Sequence, residues 1–447
     1  METLVRIAEG LGRFSARFVP SAFAIAVLLS LLTMGMALGW ADAAPEAVLG
    51  GWGSGFWELL SFSMQMALVM FTGYLLALTA PVRKGLEALA GLAKGPRGAV
   101  ALMAFVSMAL AYLNWGLSLV ASAMLVRFVA RRRPEVDYRL LVACAYFGLG
   151  ATWHSGLSAS APLLVATPGH FLEKQLGVLS IDRTLFSPFN LGLTVAVVAG
   201  LTLLAWALHP KPERTVRVDP AVLEKLGDFV PPERPAERSL AVSLDHTRWL
   251  NLIFGILGLV WFARHLALNG GWKALNLNVV NFLFLVLAVL LHGTPARLIK
   301  AGEEAGSVLH GIVLQFPLYA GIYGIFKTTG LTDQIGELFV SMSTKETFPA
   351  IVYLYSGVVN YFVPSGGSKW AIEAPYLLTA AGTLGVAPEK VVLAYAWGDM
   401  ATDLIQPFWA LPLLTVARLE FKDILGFLLL AFLLYFPFVT AAFFLFG

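Results

Sequence analysis

The sequence predicts an all-α polytopic integral membrane protein with two inverted-topology repeats, each carrying a re-entrant hairpin and a broken transmembrane helix, and about nine full spans. Three observations predict it. Of 447 residues 58% are apolar and only 13% charged, with a mean hydropathy of +0.75, against about 25% charged residues in soluble domains. The apolar runs are interrupted by polar, helix-breaking peptide, most plainly from Asn360 to Pro375 and from Gly148 to Pro162; such backbone survives at membrane depth only where protein buries it or a wet cavity lines it. Finally, Gln65 returns as Gln315, Asn114 as Asn360, Ala145-Tyr146 as Ala394-Tyr395 and Pro162-Leu163-Leu164 as Pro412-Leu413-Leu414, a nearly constant offset of about 250 residues.

In chain order, residues 1–18 carry Arg6, Arg13 and Arg17 among apolar residues, which suits an interfacial helix on the cytoplasmic surface. The first repeat, 19–208, opens with spans at 19–40 and 56–80. No signal-peptide cleavage pattern follows the first apolar run, so it is expected to stay as a span. Residues 98–130 are long for one span and short for two, and both ends are basic, with Lys94 and Arg97 before and Arg131 to Arg133 after. A segment whose ends share the positive side enters and returns, so this is a re-entrant hairpin with its tip at Asn114-Trp115-Gly116. A broken helix at 140–166 then crosses outward, and 189–208 returns.

Residues 209–248 form the one long polar, Pro-rich segment and are expected to be a cytoplasmic linker. The second repeat, 249–446, supplies spans at 249–268, 275–291 and 305–326, a hairpin at 347–382, a broken helix at 391–418 and a last span at 424–446. Five crossings separate the Gln65 and Gln315 spans; an odd number makes the two copies face opposite ways, as in many secondary transporters. The N-terminus is placed in the cytoplasm and the C-terminus outside.

Several classes are disfavoured. A net charge of +3 with no basic tract interleaved with aromatics speaks against nucleic acid. A single cysteine, Cys144, excludes an intramolecular disulfide and a cysteine metal cluster. No Gly-x-x-x-x-Gly-Lys-Ser/Thr motif is present, which disfavours a primary pump. Gly398-Asp399 and His154-Ser155-Gly156 are weak echoes of intramembrane proteases, lacking a partner Asp on a second helix or a placed base.

The candidate site residues cluster in the breaks. Asn114 and Asn360, at the hairpin tips, either cap helices or contact a cation or carboxylate; their matched positions favour contact. Trp115 and Gly116 share the first tip. At the second, Pro364 precedes Ser365, Gly366, Gly367 and Ser368, which open a helix whose N–H groups and dipole suit a carboxylate. Lys369 either pairs with Glu373 one turn on or serves as the counter-ion of a substrate carboxylate, since charges inside membranes are costly and usually functional. Asp399 and Asp403, with Thr402 beside them, need a cation, a proton or Lys369; ion coupling is the preferred reading and a structural ion pair the alternative.

Coupling Na+ or H+ is thus expected, without any other cofactor, and a sodium ion is expected near Asn114, Ser155, Asn360, Asp399 and Thr402. Thr152, His154, Ser155 and Ser158 in the first break and Gln406 in the second complete the substrate-binding candidates, His154 being either a proton carrier or a structural residue. Gln65 and Gln315 are expected to bond the unwound backbone. Trp115, Trp370 and Trp409 are candidate walls of an apolar acyl pocket.

Gly55-Phe56-Trp57-Glu58-Leu59-Leu60, Met64-Gln65-Met66-Ala67-Leu68, Val363-Pro364-Ser365-Gly366-Gly367 and Gln406-Pro407-Phe408-Trp409-Ala410-Leu411-Pro412 resemble the short-chain fatty acid transporter family, and the resemblance covers nearly the whole chain. It implies a cytoplasmic-membrane permease for small monocarboxylates such as acetoacetate and butyrate. The wider ion transporter superfamily implies a homodimer of scaffold and moving transport domains, an elevator mechanism and sodium or proton coupling. Entry of a monovalent anion into a negative-inside cell costs about 2.3 kcal/mol per 100 mV, which one co-transported cation cancels. The expected partners are a small carboxylate, the lipid bilayer and a second copy of the chain, and the alternative substrate is another small organic anion such as lactate, a dicarboxylate or gluconate.

Overall fold

Helix breaks, more than the helices, organise this chain. The computed structural model describes residues 20–219, 222, 229–237 and 239–446, so the interfacial segment expected at 1–18 lies outside the described residues. Among these residues all regular structure is helical, with no strand.

Asn114 adopts an extended conformation between the helices Gly95–Leu113 and Trp115–Arg132. Its side-chain oxygen accepts the Leu117 N–H at 2.8 Å, satisfying one of the donors a helix start leaves open. The chain reverses there: Ser118 Oγ donates to the Ser107 carbonyl at 2.9 Å, a contact that no continuous helix offers to residues so far apart in sequence. In the second half the helix Phe348–Phe362 gives way before Pro364, whose ring and missing N–H end it, and Gly366–Leu384 folds back. The Tyr355 and Tyr376 hydroxyls then lie 2.9 Å apart. These two helical hairpins overlap the ones expected at 98–130 and 347–382.

The two interrupted helices are built alike. Tyr138–Ala151 continues through a short turn at Trp153–Ser155 to Ser160–Val165, and Pro388–Ala401 continues through Asp403–Ile405 and Phe408–Ala410 to Leu411–Ala417. Their bounds shift by the same 250 residues, 138 to 388, 151 to 401 and 153 to 403. The first break is held by the first hairpin, because Leu157 N–H donates to the Tyr112 carbonyl at 2.6 Å. Gly156 permits the approach, since a Cβ there would sit 2.1 Å from that oxygen. Unwound backbone thus finds its partners inside the protein, as an apolar surround demands.

Length and composition do not by themselves account for the nine expected spans. Among the described residues six helices are long and apolar enough to cross a membrane: Leu60–Ala77, Gly95–Leu113, Tyr138–Val165, Pro188–Leu208, Trp249–Leu268 and Phe421–Phe446. A seventh results if Pro295–Gly306 and His310–Thr328, bent by 54°, count as one. Gly95–Leu113, expected as a mere hairpin arm, has the length to cross because Gly95 and Pro96 start the helix ahead of the apolar run. The expected spans at 19–40 and 275–291 are shorter helices, the latter opened by Asn276 and closed by Gly293. The 391–418 stretch is divided by its breaks into pieces none of which spans unaided.

Burial separates centre from rim. The Tyr138–Val165 stretch is 89% buried inside the protein, whereas Trp249–Leu268 is 17% buried, leaving Ile253, Leu257 and Val260 on an outward apolar face. The segment expected as a linker, 209–248, is anchored where it begins: Asp137 N–H donates to His209 Nε2 at 3.1 Å, Tyr138 N–H to the Val216 carbonyl at 2.9 Å, and Val216 N–H to Asp137 Oδ2 at 2.9 Å.

Candidate functional site

Both hairpin tips and both helix breaks meet around one small cavity that opens to the protein's surface. Its wall is largely apolar: Met66, Leu149, Ile312, Phe316 and three tryptophans, Trp115, Trp153 and Trp409. Trp115 meets Trp409 and Trp153 edge-on, with ring centroids 5.5 Å and 6.5 Å apart. The polar part consists of Ser160, Ser365, Gly366, Gly367 and Asp403. Ser365 precedes the helix Gly366–Leu384 without capping it, its Oγ lying instead 2.8 Å from Ser368 Oγ. An uncapped helix N-terminus therefore borders the cavity, with the partial positive charge that attracts anions.

A charged centre packs behind this wall. Lys369, 1% exposed, donates from Nζ to the Ser356 carbonyl (2.9 Å) and hydroxyl (2.5 Å), lies 3.1 Å from Asp399 Oδ1 and 3.7 Å from Glu373 Oε1, and sits over the Tyr395 ring at 4.5 Å. The other Asp399 oxygen is 2.8 Å from His154 Nδ1. Ala161 N–H donates to His154 Nε2 at 3.2 Å, with Ser160 Oγ 2.9 Å from the same nitrogen. A backbone amide only donates, so Nε2 accepts and the ring proton sits on Nδ1, directed at Asp399. His154 is neutral in this arrangement, and Lys369 alone balances Asp399.

Asp403 joins centre and cavity. Its Oδ1 accepts from Asn360 Nδ2 at 2.7 Å and its Oδ2 from Trp153 Nε1 at 3.1 Å, so each break supplies one side of the contact. Asn360 Nδ2 also reaches Thr402 Oγ1 at 3.2 Å.

Several sequence expectations need correcting. Lys369 does not line the cavity; its donors are engaged by Ser356 and Asp399, and it sits closer to Asp399 than to Glu373. Thr152, Ser155 and Ser158 spend their hydroxyls on the carbonyls of Met108, Thr152 and Ala111, because the break they sit in leaves carbonyls to satisfy; Ser158 Oγ also accepts Trp115 N–H at 3.0 Å. Asn114 is a helix cap that also donates to the Val69 carbonyl at 3.1 Å, and Gly116 presses against the Met70 backbone. Trp370 is fully buried against Tyr395 rather than in the cavity wall. The Pro364 carbonyl accepts from Trp409 Nε1, tying the hairpin tip to the second break, and the Gln406 side chain serves locally, accepting from Phe408 N–H. Gln65 bonds the Asn278 side chain at 2.7 Å and not unwound backbone.

The expected sodium ligands are not brought together. The Asn114 oxygen, Ser155 hydroxyl and Asp399 carboxylate all have the partners just given; of the five, only Asn360 and Thr402 meet, and Asn360 turns N–H donors toward Asp403. Among the described residues no group of three His, Cys, Asp or Glu side chains suits a metal ion.

Other functional residues were missed. Ser160 lies in the same interrupted stretch as Ser158, so its hydroxyl was a visible signal. Ser356 sits in an apolar helix with nothing local to mark it, whereas Tyr395 was marked only as the repeat counterpart of Tyr146. Asn190 ties the first break to the second interrupted helix, donating to the Ser155 carbonyl at 2.9 Å and accepting from Trp397 Nε1 at 2.8 Å.

Comparison with known proteins supplies the family. The model for short chain fatty acid transporters matches residues 3–446. The chain is 40% identical over 428 residues, 96% of each protein, to an Escherichia coli (strain K12) protein named for short-chain fatty acid transport. It is 36% identical over 448 residues, 98% of this chain and 99% of the other, to a like-named protein of Haemophilus influenzae. Among solved structures the fold is similar to the Alcanivorax borkumensis YdaH transporter (TM-score 0.62, 16% identity, 95% of this chain and 97% of that one). It is also similar to Neisseria gonorrhoeae MtrF, titled one of a class of antimetabolite efflux pumps (TM-score 0.53, 15% identity, 98% and 96%). These matches leave no room for the protease reading: the chain belongs to the short-chain fatty acid transporter family and is a membrane transporter, not an enzyme.

Proposed function

We propose that the protein takes up small monocarboxylates of the acetoacetate and butyrate class across the cytoplasmic membrane, coupled to a cation. The carrying observation is the uncapped N-terminus of Gly366–Leu384, with Ser365, opening into a tryptophan-walled cavity. N–H groups and dipole complement a carboxylate, and the apolar wall complements a short acyl chain.

The element bounds that repeat at 250 residues support two copies of one fold, and the odd number of crossings between them supports opposite orientation. We take the hairpins as re-entrant, the tips as converging on the substrate, and transport as an elevator movement in a homodimer, with the N-terminus cytoplasmic and the C-terminus outside.

Proteoliposome uptake of labelled butyrate, with acetoacetate, lactate, a dicarboxylate and gluconate as competitors, tests the substrate class. Butyrate and acetoacetate are expected to compete best; stronger competition by gluconate or a dicarboxylate would move the assignment to another small organic anion. Gly367→Val, whose side chain would meet Met66 and Phe62 at the cavity wall, is expected to raise the KM for butyrate.

A further inference from the structure

We propose that Glu373, outside the cavity, is a proton-binding site and that its proton is the ion coupled to carboxylate entry, an inference that rests on the uptake reading above. Glu373 is 1% exposed, and neither of its carboxyl oxygens accepts a hydrogen bond. Its nearest cation, Lys369 at 3.7 Å, is engaged by Ser356 and Asp399. The buried centre therefore holds three carboxyl groups, those of Glu373, Asp399 and Asp403, against one ammonium, with His154 neutral.

Lys369 balances Asp399, and Asp403 accepts from two N–H donors at the cavity wall. Glu373 shares the same ammonium only at the longer distance of 3.7 Å and accepts no hydrogen bond of ordinary length, and a buried carboxylate so weakly compensated is expensive enough that the group carries a proton instead. The titratable groups facing it are Lys369 and Tyr376 of its own helix, Tyr355 of the preceding helix, and Tyr395 and Asp399 of Pro388–Ala401. The helices His310–Thr328 and Leu331–Met342, packed on Gly366–Leu384, approach Tyr376 through Phe326 and Phe339, and Ser160–Val165 packs on it as well. The Tyr355 and Tyr376 hydroxyls are hydrogen-bonded to each other at 2.9 Å, and Tyr355 is half-buried.

The test compares the full-length protein with Glu373→Gln, an isostere of the protonated acid. Infrared spectra of the purified proteins at neutral pH should show a protonated-carboxyl carbonyl band that is lost in Glu373→Gln; an identical band in both means that Glu373 holds no proton and overturns the proposal without reference to transport. In proteoliposomes, with protein-free vesicles as the baseline for leak of the undissociated acid, an inward proton gradient in sodium-free medium should accelerate butyrate entry by the wild type. Glu373→Gln should lose that acceleration, and with it the steady-state accumulation, about tenfold for a gradient of one pH unit at one proton per anion, while still exchanging labelled for unlabelled butyrate. Acceleration by a sodium gradient alone, or a proton response retained by Glu373→Gln, overturns the coupling assignment and leaves the uptake reading standing. Failure of the wild type to exchange butyrate would instead remove the uptake reading and the coupling with it, the infrared result still deciding whether the site binds a proton.

Discussion

Lys369 and Asp399 hold each other in place, and neither is tolerable alone. Replacing Lys369 by Met leaves a buried carboxylate facing only neutral His154, a loss on the order of 3–5 kcal/mol, so Lys369→Met is expected to lower the melting temperature of the detergent-purified protein markedly. Adding Asp399→Asn should recover much of it, because replacing both charges is far less costly than orphaning one. A single variant that melts like the wild type would refute this account of the centre. Gly366 is equally constrained: a Cβ there would lie 2.5 Å from Asp399 Oδ2 and 2.6 Å from Trp153. Gly366→Ala should cost about 1–3 kcal/mol by overpacking and depress butyrate uptake, measured as initial rate at matched reconstitution. Of this residue-scale chemistry the sequence announced the participants Lys369, Asp399, Asp403 and His154. It left their pairing open: Lys369 was offered to Glu373, to a substrate carboxylate and to the two aspartates alike, and nothing in the sequence joined His154 to Asp399.

The hairpin tips are where local chemistry decides the most. Asn114 ends one helix and caps the next through its own side chain, and its amide donates to Val69 of the neighbouring Leu60–Ala77 helix. Asn114→Ala removes both contacts; loss of the cap alone is worth about 1 kcal/mol. Faster amide exchange at Leu117 and Ser118, read by hydrogen-exchange mass spectrometry, is the expected outcome, and Asn114→Asp should retain most of the protection because the capping oxygen remains. The hairpins and breaks were legible because Asn-Trp-Gly and Pro-Ser-Gly-Gly interrupt helices whatever surrounds them. Gln65 was misread for the opposite reason: its partner Asn278 lies on a helix more than two hundred residues away, and nothing near Gln65 points to it.

The proposed topology can be tested across the whole molecule. Cys144 is the only cysteine and is buried, so a Cys144→Ala background with single cysteines at exposed Lys174 or Lys211 reports sidedness. Membrane-impermeant maleimide added to intact cells should label the Lys174→Cys protein and spare Lys211→Cys; the reverse pattern would invert the orientation. The span count was harder to read from hydropathy, because an interrupted helix such as 388–417 is divided into pieces each too short to cross alone while Gly95–Leu113 has crossing length within a hairpin.

What the sequence determined by itself was the membrane class, the helical composition, the positions of the breaks and the repeat at about 250 residues. Hydropathy, proline, glycine and capping residues act over a few positions and carry their meaning with them. Only the tertiary structure decided that Ser160 rather than Ser158 faces the cavity, that Trp115, Trp153 and Trp409 form its wall while Trp370 does not, and that Lys369 is committed to Asp399, leaving Glu373 without a hydrogen-bond partner. Those outcomes depend on which of many similar side chains arrive within about 3 Å of one another after packing, and that distance is set by how separate helices dock.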